Sequence, residues 1–221
     1  MPARPFSLQN ARMRSQSVVA SPARQPSPKL EDDDLMLIDR VAAKDRQAFE
    51  ILYHRHAQRL YRYLSKLISQ RELIEEVLDD VMLVVWQNAA RFNHTSRIST
   101  WMFGIAHHKA LKALARSSKE SPDMPLAVPE EWIDREGPEE AMTRQELHNT
   151  LARALETLPP ELRTAAELTF YQGCSYQEIA EITACPVNTV KTRMFHARRR
   201  LAQVLGREGL HRPLGWQERL G

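Results

Sequence analysis

The residues of this chain whose types and spacing best suit a defined chemistry lie between Val187 and Arg207. This stretch contains cations, amides and hydroxyls but no Asp or Glu. Its residues advance by about 100° each if it is helical. The side chains on or beside the outward face are then Asn188, Lys191, Thr192, Arg193, Phe195, His196, Arg198, Arg199 and Arg200. Cations suit phosphates and polar groups suit base edges, so the predicted chemistry is nucleic-acid binding in a major groove.

Two helices and a tight turn would position those side chains. The second helix has an apolar stripe, formed by Val190, Met194, Ala197, Leu201 and Leu205. Ahead of it, Ser175 and Glu178 have the spacing of a capping box, which predicts the start of a short helix. Gly173 suits the left-handed end of the preceding helix, and Pro186 suits the start of the second one. The alternative is a solvated basic helix in an ordinary bundle, but the capped helix and the turn favour a helix-turn-helix.

The composition of the 221-residue chain indicates a soluble protein. No run approaches the ~18 apolar residues of a membrane helix, so we expect no membrane insertion. The N-terminus lacks the apolar segment of a secretion signal. The two cysteines, Cys174 and Cys185, form no disulfide framework, which favours a cytoplasmic location. The formal net charge of +3 is modest, and the distribution of charge along the chain is more informative than the net value.

Residues 35–116 predict a first all-α domain whose charge changes sign along the chain. The helix at about 71–91 has an acidic face, and the segment from Phe92 to Arg116 carries cations and no acid. Trp101 and Phe103 lie among those cations, where aromatics suit stacking on unpaired bases. We expect at least one of the two in the core.

The acidic face could also suggest a di-metal or acid–base site. Such sites in helical bundles need a Glu-x-x-His motif on facing helices, and residues 71–91 have none. A solvated or partner-binding acidic surface is therefore the favoured interpretation.

The other segments complete the predicted organisation. Residues 1–34 form a basic, disordered N-terminal extension, and the Pro-containing acidic stretch 117–142 forms a linker. Helical periodicity returns over 143–206, and 207–221 forms a C-terminal tail. We therefore predict an all-α fold with two small helical domains, the second with the helix-turn-helix. No G-x-S-x-G, HExxH or phosphate-binding Gly loop occurs, so we expect no enzymatic activity, no cofactor and no small-molecule substrate.

Segments of both predicted domains resemble bacterial sigma-70 family factors. Domain 4 of these factors is similar to LARALETLPPELRTAAELTFYQGCSYQEIAEITACPVNTVKTRMFHARRRL. Domain 2 is similar to AFEILYHRHAQRLYRYL, VMLVVWQNAARF and STWMFGIAHHKALKALAR. The short linker leaves no room for the helical domain 3 of housekeeping sigma factors. The match covers about residues 35–205 and resembles the extracytoplasmic-function (ECF) group.

The resemblance implies a factor that binds core RNA polymerase and promoter DNA without a cofactor, with an anti-sigma factor as a further partner. The residues implied in docking on the polymerase clamp are Glu76, Asp79, Asp80 and Trp86. Those implied in opening and holding the −10 strand are Asn93, Arg97, Trp101, His108, Lys109 and Lys112. Those implied in reading the −35 element are Asn188, Thr189, Lys191, Thr192, Arg193, His196 and Arg199.

The chain departs from the family pattern at a few of these positions. Asp79 stands where Gln is usual, His107-His108 where Arg-Asn is frequent, Ala184 where Gly is usual, and Asn188 where Gly or Ser is common. The departures affect specificity rather than the class of protein.

Two other functions remain open from the residues. One is a helix-turn-helix transcriptional regulator with an N-terminal sensing domain, which would bind DNA tightly without polymerase. The other is a metalloprotein that uses Cys174, Cys185 and His196 as zinc ligands. The cysteines lack C-x-x-C spacing, so we expect no metal site.

Overall fold

The computed structural model describes residues 28–120 and 150–207. Within these ranges the chain forms helices and connecting turns without a strand, which confirms the all-α prediction. The helices are α1 (Pro28–Ala42), α2 (Arg46–Leu64), α3 (Arg71–Asn88), α4 (Ile98–Glu120), α5 (150–156), α6 (Pro160–Phe170), α7 (Tyr176–Thr183) and α8 (Val187–Arg207), with a 3-10 turn at Ala89–Arg91. None of these helices is long and apolar enough to cross a bilayer.

Helix α1 begins within the predicted N-terminal extension 1–34. It starts at Pro28, so residues 28–34, which the sequence analysis assigned to the disordered extension, are helical. Proline is favoured at the first helical position, and acidic residues near a helix start complement its dipole. Asp34 is buried, and its carboxylate accepts a hydrogen bond from Arg55 at 2.5 Å and pairs with His56 at 2.8 Å.

A single apolar core joins α1–α4 with parts of α6–α8. Its fully buried side chains include Tyr63 of α2, Phe103 of α4, Ile179 of α7 and Met194 of α8. Burial of each large apolar side chain stabilises the fold by roughly 1.5–3 kcal/mol. The position of Phe103 confirms that at least one of the two aromatics of α4 belongs to the core. A smaller cluster comprises Ala154, Leu155, Leu158, Ala166, Ala197, Leu201 and Leu205.

The division into the domains 35–116 and 143–206 stays a prediction. Helix α4 ends at Glu120, inside the predicted linker 117–142. The remainder of that linker lies outside the described residues, as do residues 1–27 and 208–221.

Candidate nucleic-acid and protein interfaces

Helices α7 and α8 form the predicted helix-turn-helix. Gly173 has a φ of 67° ahead of α7, as its left-handed cap requires. The Ser175 hydroxyl accepts a hydrogen bond from the Glu178 amide at 3.3 Å, and Glu178 Oε2 accepts one from the Ser175 amide at 2.8 Å. Both halves of the predicted capping box are therefore present. Ala184 ends α7 with a φ of 50°.

Helix α8 buries one face and exposes the other. The side chains of the predicted apolar stripe are at most 2% exposed: Val190, Met194, Ala197, Leu201 and Leu205. Five of the predicted groove-reading residues are exposed, namely Asn188, Lys191, Thr192, His196 and Arg199. Thr189 and Arg193 are half-buried, and Arg193 Nη1 lies 3.5 Å from Cys185 Sγ. We call the exposed surface from Asn188 to Arg199 the groove-facing surface, with Thr189 and Arg193 at its edge.

Phe195 lies on the groove-facing surface but was not among the predicted reading residues. Its side chain is 62% exposed, and its ring packs edge-on against His196 with centroids 5.4 Å apart. An exposed apolar ring on such a helix can contact a thymine methyl group. The outward helical position of Phe195 was visible in the sequence, but the predicted reading residues are all polar or charged and did not include it.

The segment Phe92–Arg116 combines an ordered loop with most of α4. The ring of buried Phe92 lies 5.3 Å from that of half-buried Trp101. Asn93 Oδ1 accepts hydrogen bonds from the amide and hydroxyl of Thr95 at 3.2 and 2.7 Å. The Phe92 ring therefore packs against a partly exposed indole, and the Asn93–Thr95 hydrogen bonds fix the loop ahead of α4, an arrangement that suits base stacking.

The basic side chains of α4 differ in exposure and in whether they pair with acidic side chains of α3. His108 and Lys112 are exposed. Lys109 Nζ donates to Asp80 of α3 at 2.9 Å, and Arg116 lies 3.8 Å from Glu76. The predicted acidic and basic helices thus lie side by side and partly neutralise each other. Of the predicted −10 residues in α4, His108 and Lys112 are consequently the exposed ones.

His107, one of the departures from the family pattern, faces inward. Its Nδ1 lies 2.8 Å from the Tyr63 hydroxyl. Burial lowers the pKa of His107, and the nearby charges of Arg193 and His108 lower it further. A neutral imidazole can accept a hydrogen bond from the Tyr63 hydroxyl, so His107 is a half-buried polar partner of the core residue Tyr63.

One side of α3 presents the predicted polymerase-binding residues. Glu76 and Asp79 are exposed, and Asp80 and Trp86 are half-buried. Burial and the neighbouring acids Glu75 and Asp80 raise the pKa of Asp79. Leu83 lies among these acids with 50% of its surface exposed, and the sequence analysis did not single it out. An apolar side chain within a charged surface is typical of a protein-binding site.

Trp86 is held at the edge of that surface by two side chains from the start of α2 and the turn before it. Its ring meets Phe49 edge-on at 5.2 Å between centroids. Lys44 Nζ lies 5.1 Å from the centroid of the indole and donates to the Trp86 carbonyl at 2.8 Å. The indole is therefore fixed in orientation while remaining partly accessible.

Arg97, one of the predicted −10 residues, is turned towards α7. Its guanidinium pairs with the Glu178 carboxylate, and Thr100 Oγ1 donates to the same carboxylate oxygen at 2.7 Å. Burial alone would raise the pKa of Glu178, but the bonds from Arg97, Ser175 and Thr100 outweigh it and lower the pKa to about 2. Glu178 is therefore ionised and bonded through both oxygens.

The proposed zinc ligands are not brought together. Cys174 is buried and Cys185 half-buried, whereas His196 is exposed on the groove-facing surface. Burial raises the pKa of the Cys174 thiol to about 12. Among the described residues, no group of three His, Cys, Asp or Glu side chains could hold a metal ion.

Two family models match the chain in the predicted order. The model for sigma-70 region 2 matches residues 52–120, and the model for sigma-70 region 4 matches residues 148–201. Two solved structures share the fold. CnrH in complex with the cytosolic domain of CnrY is 22% identical with a TM-score of 0.58, over 80% of this chain and 99% of that one. The sigma factor RpoE in complex with the anti-sigma factor NepR from Bartonella quintana is 21% identical with a TM-score of 0.60, and the match covers 72% of this chain and 96% of that one.

Curated relatives extend the match over most of both chains. The RNA polymerase sigma-H factor of Pseudomonas aeruginosa is 27% identical over 183 residues, which cover 79% of this chain and 95% of the relative. The ECF RNA polymerase sigma-E factor of Escherichia coli (strain K12) is 30% identical over 173 residues, which cover 75% of this chain and 90% of the relative. Together with the helix-turn-helix and the acidic helix, these matches show that the chain belongs to the ECF group of sigma-70 family RNA polymerase sigma factors, which direct transcription initiation.

Proposed function

We propose that this sigma factor divides its work among three surfaces, each with its own partner. The observation that carries the proposal is the separation of exposed acid on α3 from exposed cations and amides on α8. A factor that must bind a protein and DNA at once needs such segregation, because like charges would repel one partner or the other. The surface around Trp101 supplies the third site.

The acidic side of α3 binds core RNA polymerase. Glu76, Asp79 and Asp80 provide charge that attracts a basic partner and fixes its register. Leu83 and Trp86 provide the apolar contacts from which most of the affinity of such an interface comes.

The groove-facing surface of α8 reads the −35 element. Lys191 and Arg199 contact phosphates, while Asn188 and His196 reach base edges. Phe195 adds an apolar contact to a thymine methyl group, which polar side chains cannot make.

The segment Phe92–Arg116 captures the unpaired −10 strand. Trp101 offers its half-exposed ring for stacking, and Lys112 and His108 attract the backbone. The proposed −10 residues also include Asn93, Arg97 and Lys109. To bind DNA, Arg97 and Lys109 must give up the carboxylates with which they pair in this structure. Binding energy alone opens the strands, so the factor itself needs no catalytic group.

An anti-sigma factor is a further partner, and the site of action is the cytoplasm, where core polymerase works. One of the solved relatives is in complex with an anti-sigma factor. The two cysteines lie in a buried and a half-buried position without a disulfide, which suits a reducing compartment.

Substitution of Phe195 tests the −35 assignment. Phe195→Ala should weaken binding of the polymerase holoenzyme to a promoter by about fivefold, since one apolar base contact contributes about 1 kcal/mol. The Phe195 side chain is exposed, so its removal should leave thermal stability unchanged. Gln203→Ala, an exposed change farther along α8, is the matched control. Binding is measured by gel shift with and without core polymerase on promoters that differ at −35.

Two results would contradict the assignment. Equal binding by Phe195→Ala and wild type on every −35 sequence would remove Phe195 from the reading surface. Tight, specific binding without core polymerase would instead favour a conventional regulator.

A further inference from the structure

Lys44 lies in the turn between α1 and α2 in a backbone conformation that a lysine resists. Its φ is 67°, in the left-handed region where glycine is the favoured residue. The Lys44 amide donates to the Val41 carbonyl at 2.9 Å, and the Asp45 amide donates to the Arg40 carbonyl at 3.0 Å. A glycine would make the same backbone bonds, so the turn itself gives no reason for a lysine at this position.

The side chain of Lys44 reaches across to helix α3. Its Nζ donates to the Trp86 carbonyl at 2.8 Å and lies over the Trp86 ring, 5.1 Å from the centroid. Trp86 lies in the last turn of α3 (Arg71–Asn88), where a cation complements the helix dipole. One ammonium group therefore restrains both the main chain and the ring of the same residue.

The contact with Lys44 completes the restraint of the indole. Phe49 of α2 meets the Trp86 ring at an interplanar angle of 65°, with centroids 5.2 Å apart. Lys44 is exposed, whereas Phe49 and Trp86 are half-buried. Without the ammonium, Phe49 would restrain the ring through an edge contact alone, and the indole could adopt other orientations.

The charge of Lys44 is opposite to that of the surface beside Trp86. That surface carries Glu76, Asp79 and Asp80, and the proposed function gives it a basic partner. An ammonium group cannot attract a basic partner, because like charges repel. Any contribution of Lys44 to polymerase binding must therefore act through Trp86.

We propose that Lys44 is a positioning residue for polymerase binding, which holds the Trp86 indole in the orientation that core RNA polymerase meets. The inference rests on the proposed role of the acidic side of α3. A tryptophan that is already ordered in the free factor loses less conformational freedom when the complex forms. The strained backbone of Lys44 is thus kept for binding rather than for stability.

The contact is tested by NMR spectroscopy of the free protein. Protons that lie over an indole ring are shifted upfield by its ring current, so the Lys44 Hε protons should resonate upfield of those of other lysines. Their signals are assigned by their loss in Lys44→Gly, and Trp86→Leu should return them to the ordinary lysine position. Lys44 Hε signals at the ordinary position in the wild-type protein would overturn the proposal.

Lys44→Gly separates positioning from a structural role. The variant relieves the left-handed conformation, so its midpoint of urea denaturation should not fall. Its affinity for core RNA polymerase, measured by biolayer interferometry, should fall about fivefold, because the indole must then be ordered on binding. Lys44→Met, which keeps an unbranched side chain without the ammonium, should lose as much affinity. Ala43→Gly, an exposed change in the same turn, is the matched control and should bind as wild type does.

The dependence on Trp86 is tested in a Trp86→Leu background. Trp86→Leu should itself weaken polymerase binding, and adding Lys44→Gly should then have no further effect. A similar loss from Lys44→Gly in both backgrounds would show that Lys44 does not act through Trp86 and would overturn the proposal. Circular dichroism verifies that each variant is folded, and Trp86→Met replaces Trp86→Leu if the latter is not.

Failure of the inference and failure of the proposed function give different results. Wild-type affinity in Lys44→Gly, with binding weakened in Trp86→Leu, would overturn the positioning role and leave the assignment of α3 in place. A lower denaturation midpoint together with that unchanged affinity would give Lys44 a structural role instead. Wild-type affinity in Trp86→Leu would remove Trp86 from the polymerase-binding surface, and the positioning role with it.

Discussion

At the scale of single residues, Ala184 occupies a backbone conformation that its side chain resists. It ends α7 with a φ of 50°, in the left-handed region. A residue with a Cβ atom pays roughly 1–2 kcal/mol there. The conformation is kept because its amide donates to the Glu181 carbonyl at 3.3 Å and the Cys185 amide donates to the Ala180 carbonyl at 3.0 Å. These bonds close α7 and aim the chain into α8.

Ala184→Gly should therefore stabilise the protein. Relief of the left-handed strain outweighs the greater freedom of glycine in the unfolded chain, and we expect the free energy of unfolding to rise by about 1 kcal/mol. Ala202→Gly, at an exposed helical position of α8, should instead lower it by about 1 kcal/mol. Urea denaturation followed by circular dichroism measures both. A loss of stability in Ala184→Gly would show that the turn is not strained at this residue.

At the scale of elements, α6 buries a carboxyl group against the rest of the molecule. Glu167 is buried on this helix, and burial raises its pKa to about 7 although the charges of Lys66 and Arg163 oppose the rise. The folded protein thus holds this proton to a higher pH than the unfolded chain does. The stabilising effect is complete below the unfolded pKa, near 4.5, and is lost as the pH rises through about 7.

Glu167→Gln should remove this pH dependence. The wild-type free energy of unfolding should fall by about 3 kcal/mol between pH 4.5 and pH 8 relative to the variant, because ionisation in the folded state is costly. Glu161→Gln, in the exposed first turn of α6, should retain the wild-type profile. Chemical denaturation across this pH range is the measurement. Parallel profiles for wild type and Glu167→Gln would show that Glu167 ionises freely in the folded protein.

Some features of the helices could be predicted from the sequence and others could not. Those that depend on residues close together in the chain were predictable, and those that depend on contacts between distant helices were not. The stripe of α8 and the cap at Ser175 depend on neighbours within a few turns, so periodicity and spacing were enough to predict them. Burial of Asp34 and Glu167, and the pairing of Arg97 with Glu178, depend on contacts between distant helices. Local patterns do not encode such contacts. The start of α1 at Pro28 is a different case, because a proline followed by acidic residues is itself a local helix-start signal, which the sequence analysis did not use.

At the scale of the whole molecule, the described residues place the three proposed partner surfaces on different helices. The acidic side of α3 and the groove-facing surface of α8 are open, and α7 lies over the surface around Trp101.

The central claim, that the chain is a sigma factor, is tested most directly by transcription in vitro with bacterial core RNA polymerase and a library of promoters with randomised −35 and −10 elements. We expect initiation that depends on the protein and start sites that share both elements at a fixed spacing. Phe195→Ala should change the selected −35 sequence and leave the selected −10 sequence unaltered. Transcripts no more abundant or specific than those from core polymerase alone would contradict the account.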